Sequence, residues 1–273
     1  MKYAAEYIKS IDLKEFDEII IPYNALEEQI AQLPQFLSEY KDQRIILQIT
    51  DVEYFFAREG WKEINEVAIS SDIDNLAVCI YSQGKFKPIT SREEAMIVHE
   101  LDVPYFFGKY ATNLDELKEL CTWGVSDVYI AEGLGFDLKR AKALCDHYNI
   151  RIRAFANVSQ TNTPGESSLF GFFITPQDAE WYSKYIDVIE FFGPPNRQGI
   201  LLDIYKSGQW YGDLKPLIIG LDATLDTKYL MPIFSFARSN CRKECYTSSD
   251  CKICNDLMRI HALLKDNNLI IKS

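Results

Sequence analysis

Residues 124–157, GVSDVYIAEGLGFDLKRAKALCDHYNIRIRAFAN, read as a complete strand–helix–strand unit and restrict the fold more than any other stretch. Residues 127–131 are a short apolar run with β-branched members, the pattern of a strand buried on both faces. Glu132-Gly133-Leu134-Gly135 interrupts that run. Asp137 is placed to cap a helix whose apolar positions Leu138, Ala141, Leu144 and Tyr148 recur at helical spacing. Asn149 suits the left-handed residue that ends such a helix, and residues 150–156 resume a strand. Two strands joined by one helix within ~30 residues run parallel, with a right-handed crossover.

The same alternation extends in both directions. Strands are expected at 18–23, 44–50, 76–81, 103–109, 127–131, 150–156, 186–192 and 216–221. Helices are expected at 25–40, 52–70, 91–101, 113–123, 176–185 and 199–207, besides the one in the opening unit. Eight strands, most of them followed by a helix, at intervals of roughly 25 to 30 residues, indicate the α/β class and a (β/α)8 barrel of the TIM type. An open doubly wound sheet is the rival. The strand count and the lack of a glycine-rich phosphate fingerprint after any strand favour the barrel. The barrel is expected over 1–235, with 236–273 a cysteine-rich metal-binding segment and C-terminal helix packed on it.

A chain of 273 residues, 47% hydrophobic, suffices for one large core. Its net charge of −11 provides no overall positive field to draw it to nucleic acid or an anionic membrane, although a local basic groove stays open. No apolar run approaches the ~20 residues of a membrane span, and the charged start does not read as a signal peptide, so a cytoplasmic location is expected. Three scattered cysteines, Cys79, Cys121 and Cys145, fall in apolar patterns that suit reduced core residues.

Barrel enzymes place their chemistry at the carboxyl ends of the strands. The expected strand ends include Asp51, Lys109, Glu132, Asn157, Glu190 and Asp222. Converging carboxylates perturb one another and serve as nucleophile or general base, while the bland reading makes some of them helix caps, Asp51 and Asp222 above all. Glu190 stands apart because it interrupts an apolar run, IDVIEFF, where a carboxylate needs a partner or a task. Arg197, in the following loop FGPPNRQG, is the partner expected for it. The amide of Asn157 suits either a ligand or the loop backbone. The three histidines all fall in expected helices, and no Ser–His–Asp order, phosphate loop or HExxH occurs.

Cys241, Cys245, Cys251 and Cys254 lie within 14 residues. Two close pairs joined by a short linker suit a structural zinc ion, with an iron–sulfur cluster as the alternative.

IDVIEFFGPPNR followed by the cysteine cluster resembles the tRNA-guanine transglycosylases, zinc-bearing (β/α)8 barrels. Ile186, Asp187, Ile189, Glu190, Pro194 and Arg197 stand where that family has (I/V)-D-x-F-D and P-T-R, with Glu190 in place of its aspartate nucleophile. A second resemblance is to the collagenase-like peptidase family, whose relatives include iron–sulfur RNA hydroxylases; it rests on GVSDVYI, the strand ending at Asn157, and TPQDAEWYSKYIDVIEFFG. The first resemblance implies a nucleobase-modifying enzyme of the transglycosylase type acting on tRNA or DNA. In it Glu190 and Asp51 would be the catalytic carboxylates, Asn157, Glu132, Arg197, Lys109 and Asp222 would contact substrate, and the four cysteines would hold zinc. The second implies an iron–sulfur barrel, and a third possibility is a non-catalytic barrel used for binding or assembly.

Overall fold

The computed structural model describes residues 1–6, 13–23, 27–71, 75–80, 100–111, 113–130, 137–157, 174–193, 195–213, 216–217, 223–224 and 271–272. The strands are β1 (Lys2–Glu6), β2 (Glu18–Tyr23), β3 (Arg44–Ile49), β4 (Leu76–Ile80), β5 (Tyr105–Ala111), β6 (Asp127–Ile130), β7 (Arg151–Phe155) and β8 (Val188–Glu190). They pair in sequence order, all parallel, and β8 returns to β1 to form a closed eight-stranded barrel. Closure leaves no free edge, so the (β/α)8 expectation holds and the open sheet is excluded.

The barrel is assembled one strand out of step with the sequence reading. The expected eighth strand at 216–221 is not part of it: Pro216 and Leu217 form a turn, and 218–222 lie outside the described residues. The missing member is β1, KYAAE, whose Ala4 and Ala5 are fully buried although the segment is short and flanked by charge. Backbone pairing identifies it where composition did not, with Lys2 to Ala4 in register with Val188 to Glu190.

Helices follow on the outside: α1 (Glu27–Glu39), α2 (Val52–Ala57), α3 (Gly60–Ser71), α4 (Leu114–Thr122), α5 (Leu138–His147), α6 (Ala179–Tyr182) and α7 (Pro195–Ser207). The single helix expected over 52–70 is broken at the turn before Gly60, where Glu59 has a φ of 54°. A Cβ on Gly60 would lie 2.5 Å from a ring carbon of Phe55, so glycine is what lets the two short helices pack. Asn113 caps α4 by accepting from the backbone N–H groups of Asp115 and Glu116, and Asp137 caps α5 by accepting from that of Arg140. Asn149 takes the left-handed conformation that ends α5, with φ 57°. Residues 176–185 shorten to a 3-10 turn, Pro176–Asp178, and α6, whereas α7 begins earlier than expected, at Pro195. The expected helix at 91–101 lies almost wholly outside the described residues.

Beyond the barrel, β9 (Ala223–Thr224) pairs antiparallel with β10 (Ile271–Lys272), so the chain returns to its own 223–224 after the cysteine-bearing stretch. None of the helices among the described residues is long and apolar enough to cross a membrane.

Candidate functional site

The interior of the barrel is not uniformly apolar. Glu18, Arg44, Asp127 and Arg151 each open a strand, and the pleat turns them to the inside at the amino-terminal end. Arg44 Nη1 donates to both carboxylate oxygens of Asp127 at 3.1 and 2.8 Å, and Arg151 bridges Glu18 and Asp127 at 2.6 Å each. Two residues further along β7, on the same face, Arg153 is fully buried and also donates to Glu18 and Asp127. Its other amino group, Nη2, reaches upward to Glu190 Oε2 at 3.2 Å. Three guanidinium groups thus meet three carboxylates along the barrel axis, and the charges balance. The aromatic faces of Phe106 and Tyr129 flank the Arg153 guanidinium, at 5.1 and 5.6 Å from their centroids.

Glu190 ends β8 at the carboxyl end of the barrel, where the sequence placed it. Its partner is different. Arg153, together with the Tyr129 hydroxyl that donates to Oε2 at 2.6 Å, holds the carboxyl group, and Arg197 does not. Both bonds fall on Oε2, and Oε1 has no hydrogen-bond partner among the described residues, while the side chain retains 8% exposure. Burial raises the Glu190 pKa above the usual carboxylate value; Arg153 and the Tyr129 hydrogen bond oppose that rise, and Glu18 adds to it. Burial works against the charge on Arg153, but the surrounding Glu18, Tyr129, Asp127 and Glu190 outweigh it and hold the guanidinium protonated. Cys79 shares this interior, and burial together with Glu190 and Asp127 pushes its thiol well up, against thiolate formation.

The other sequence candidates divide. Asp51 is exposed and accepts from the backbone N–H of Tyr54 at 3.0 Å, capping α2, as the bland reading had it. The Asn157 amide is spent on the loop backbone: its nitrogen donates to the Phe192 carbonyl at 2.7 Å, and its oxygen accepts from the Phe192 N–H at 2.8 Å. It therefore fixes the turn after β8. Asp187 sets the start of that strand, accepting from the Ile152 N–H and from Lys142. Lys109 lies in β5, where the register shifts between Phe107 and Tyr110, and its side chain lies outside the described residues. Glu132, Asp222 and the four cysteines 241, 245, 251 and 254 also lie outside them. The strand expected at 216–221, which was to end beside Asp222, is not a member of the barrel. Among the described residues no group of three His, Cys, Asp or Glu side chains is arranged to hold a metal ion, and Cys79, Cys121 and Cys145 are buried and unbridged, as expected.

Sequence reasoning missed Tyr129, Arg153, Glu18 and Asp127. The signal was present in RIRAF, where Arg151 and Arg153 share one face of a strand whose other residues are apolar. Two cations on one face of a buried strand require carboxylates opposite them.

An aromatic path leads outward from Glu190. Tyr129 stacks on Phe155 with centroids 5.4 Å apart, and Phe155 meets the edge of Phe192 at 5.9 Å. Phe192 is the ring that emerges, at 52% exposure.

No family model matches the chain, and no curated protein matches it either. Among solved structures it is similar to the U32 peptidase Mk0906, at 9% identity and a TM-score of 0.42, over 71% of this chain and 94% of that one. It is similar to the tryptophan synthase alpha subunit of Legionella pneumophila at 11% identity and 0.42, over 77% and 86% of the two chains. It is also similar to the aldose reductase of Schistosoma japonicum at 11% identity and 0.39, over 72% and 81%. A transglycosylase is not among the structural neighbours. Scores this low carry no chemistry from those proteins to this chain, and the barrel assignment stands on its own strand pairing.

Proposed function

We propose that the barrel is an enzyme whose reacting group is Glu190, acting as nucleophile or base in an exchange at the carbon that links a sugar to a nucleobase. The observation that carries this reading is the division of labour in one carboxyl group. Oε2 is anchored by Tyr129 and Arg153 at the carboxyl end of β8, and Oε1 has no partner among the described residues. A carboxylate so held keeps its orientation while one oxygen remains able to attack. In the exchange, a bond forms from Oε1 to the anomeric carbon as the bond to the departing base breaks, and the departing base takes a proton from water. The incoming base reverses these steps. Phe192 offers an exposed ring against which a planar base can lie. Asp51 is not carried into this mechanism as a second carboxylate, because it caps α2. A tRNA or DNA strand would have to be held against a net charge of −11, so a nucleoside is the substrate to test first.

The isostere Glu190→Gln tests the reading. Exchange of a labelled free base into a nucleoside should fall by at least ~100-fold in the variant, with an unchanged circular dichroism spectrum. Retained exchange would remove Glu190 from the reaction.

A second reading makes the barrel catalytically silent and Glu190 structural. Its support is the balance of three guanidinium groups by three carboxylates, in which Glu190 is the third. Under it no exchange occurs in either form, and the only effect of Glu190→Gln is on stability.

We further propose that Cys241, Cys245, Cys251 and Cys254 hold one structural zinc ion, on the chemistry of four clustered thiolates. The β9–β10 pairing supports it by bringing together the two ends of the stretch that carries them. Elemental analysis should find about one zinc per chain. A brown, iron-containing protein from anaerobic purification would establish the iron–sulfur alternative instead.

A further inference from the structure

A cavity of about 180 Å³ lies beside the turn that follows β8, under the inner face of α7. Its wall is apolar, formed by Phe192, Leu201, Ile204, Trp210 and Leu217, and among the described residues one cation, Arg197, stands at it. Arg197 is exposed and makes no hydrogen bond or ion pair with any described residue. That sets it apart from Arg44, Arg140, Arg151 and Arg153, each of which has a carboxylate within salt-bridge distance. A guanidinium with no carboxylate partner among the described residues is notable in a chain with 40 acidic residues against 29 basic ones.

The walls are built before any ligand arrives. The Trp210 indole N–H donates to the Asp213 carbonyl at 2.9 Å, and the Trp210 carbonyl accepts from the Gln177 side chain. The backbone of Phe192 is held by the amide of Asn157, which is thereby unavailable to a ligand. A preformed apolar cavity avoids ordering costs on binding. Its size selects the guest: a cavity of ~150 Å³ holds one benzene ring, so this one takes a single ring or a branched chain of similar bulk, and not a drug-sized or dinucleotide ligand.

We infer that this cavity is a binding site for a small carboxylic acid with an apolar body, such as an arylacetate. The ring would occupy the space between Phe192, Ile204 and Trp210, and the carboxylate would pair with Arg197. Guanidinium and carboxylate match in geometry, and the pair forms at the rim where full desolvation is not required. The inference does not depend on the role of Glu190, since it uses neither Oε1 nor the barrel interior.

Calorimetric titration of the full chain with phenylacetate tests it. Saturable binding is expected, with phenylacetamide, which lacks the charge, binding at least ~10-fold more weakly. Arg197→Gln, an exposed change that leaves the apolar part of the wall intact, should weaken phenylacetate by at least ~10-fold while leaving the melting temperature unchanged. Ile204→Trp should fill the cavity and abolish binding. Three results would overturn the inference: no saturable heat at the highest soluble phenylacetate concentration, equal affinity for the acid and the amide, or undiminished affinity in Arg197→Gln.

Discussion

Arg153 is the residue on which the interior turns. It is fully buried and donates to Glu18 and Asp127 below and to Glu190 above. Removing it leaves Glu190 without a guanidinium among the described residues and takes one partner each from Glu18 and Asp127, which keep Arg151, whereas removing Glu190 leaves Arg153 with two partners. The cost of breaking a buried pair is ~3–5 kcal/mol, so Arg153→Met should destabilise by at least that much in a denaturant titration, and Glu190→Gln by clearly less. Equal costs would mean that Glu18 and Asp127 do not share Arg153. The pH dependence has a definite sign. Because burial raises the folded-state pKa of Glu190, its contribution to stability is fully present below the ordinary glutamate range and is lost as pH rises through the raised value. Melting curves of wild type and Glu190→Gln across acidic pH should therefore converge or cross in that direction as pH increases. The sequence showed Glu190 as anomalous because it interrupts an apolar run. It did not show the partner, since Arg153 is adjacent only across the closed sheet, and Arg197 was nearer along the chain.

At the scale of elements, the strands that alternate with clear helices were legible, from β2 through β8, because each carries an apolar run bounded by a cap or a break. β1 was not. Five residues with two alanines have little β-branched character, and what makes them a strand is parallel pairing with β2 on one side and β8 on the other. That pairing is non-local and leaves no periodic mark. The apolar run at 216–221 drew the count instead, and Asp222 with it. The break between α2 and α3 falls at Glu59, and Gly60 lets the two helices approach, since an added methyl group there would press on the ring of Phe55. Gly60→Ala should cost ~1–3 kcal/mol, the range for overpacking a filled site, as read from the unfolding midpoint. A neutral result would show that the ring of Phe55 moves aside freely.

At the scale of the whole molecule, the charged column connects the amino-terminal floor of the barrel to its mouth. Glu18 and Asp127 set Arg153, Arg153 and Tyr129 set Glu190 Oε2, and Oε1 makes no hydrogen bond with any described residue. The fold supports this because strand order places β2, β6, β7 and β8 around one interior, so residues far apart in sequence share an axis. The most direct test is a carbon-detected NMR titration of the Glu190 carboxyl group in the intact protein. The midpoint should lie above the ordinary value of 4.5 and should rise further in Tyr129→Phe, which deletes a hydrogen bond that favours the ionised form. A midpoint at or below 4.5, or one that Tyr129→Phe leaves in place, would contradict the account of how Glu190 is held.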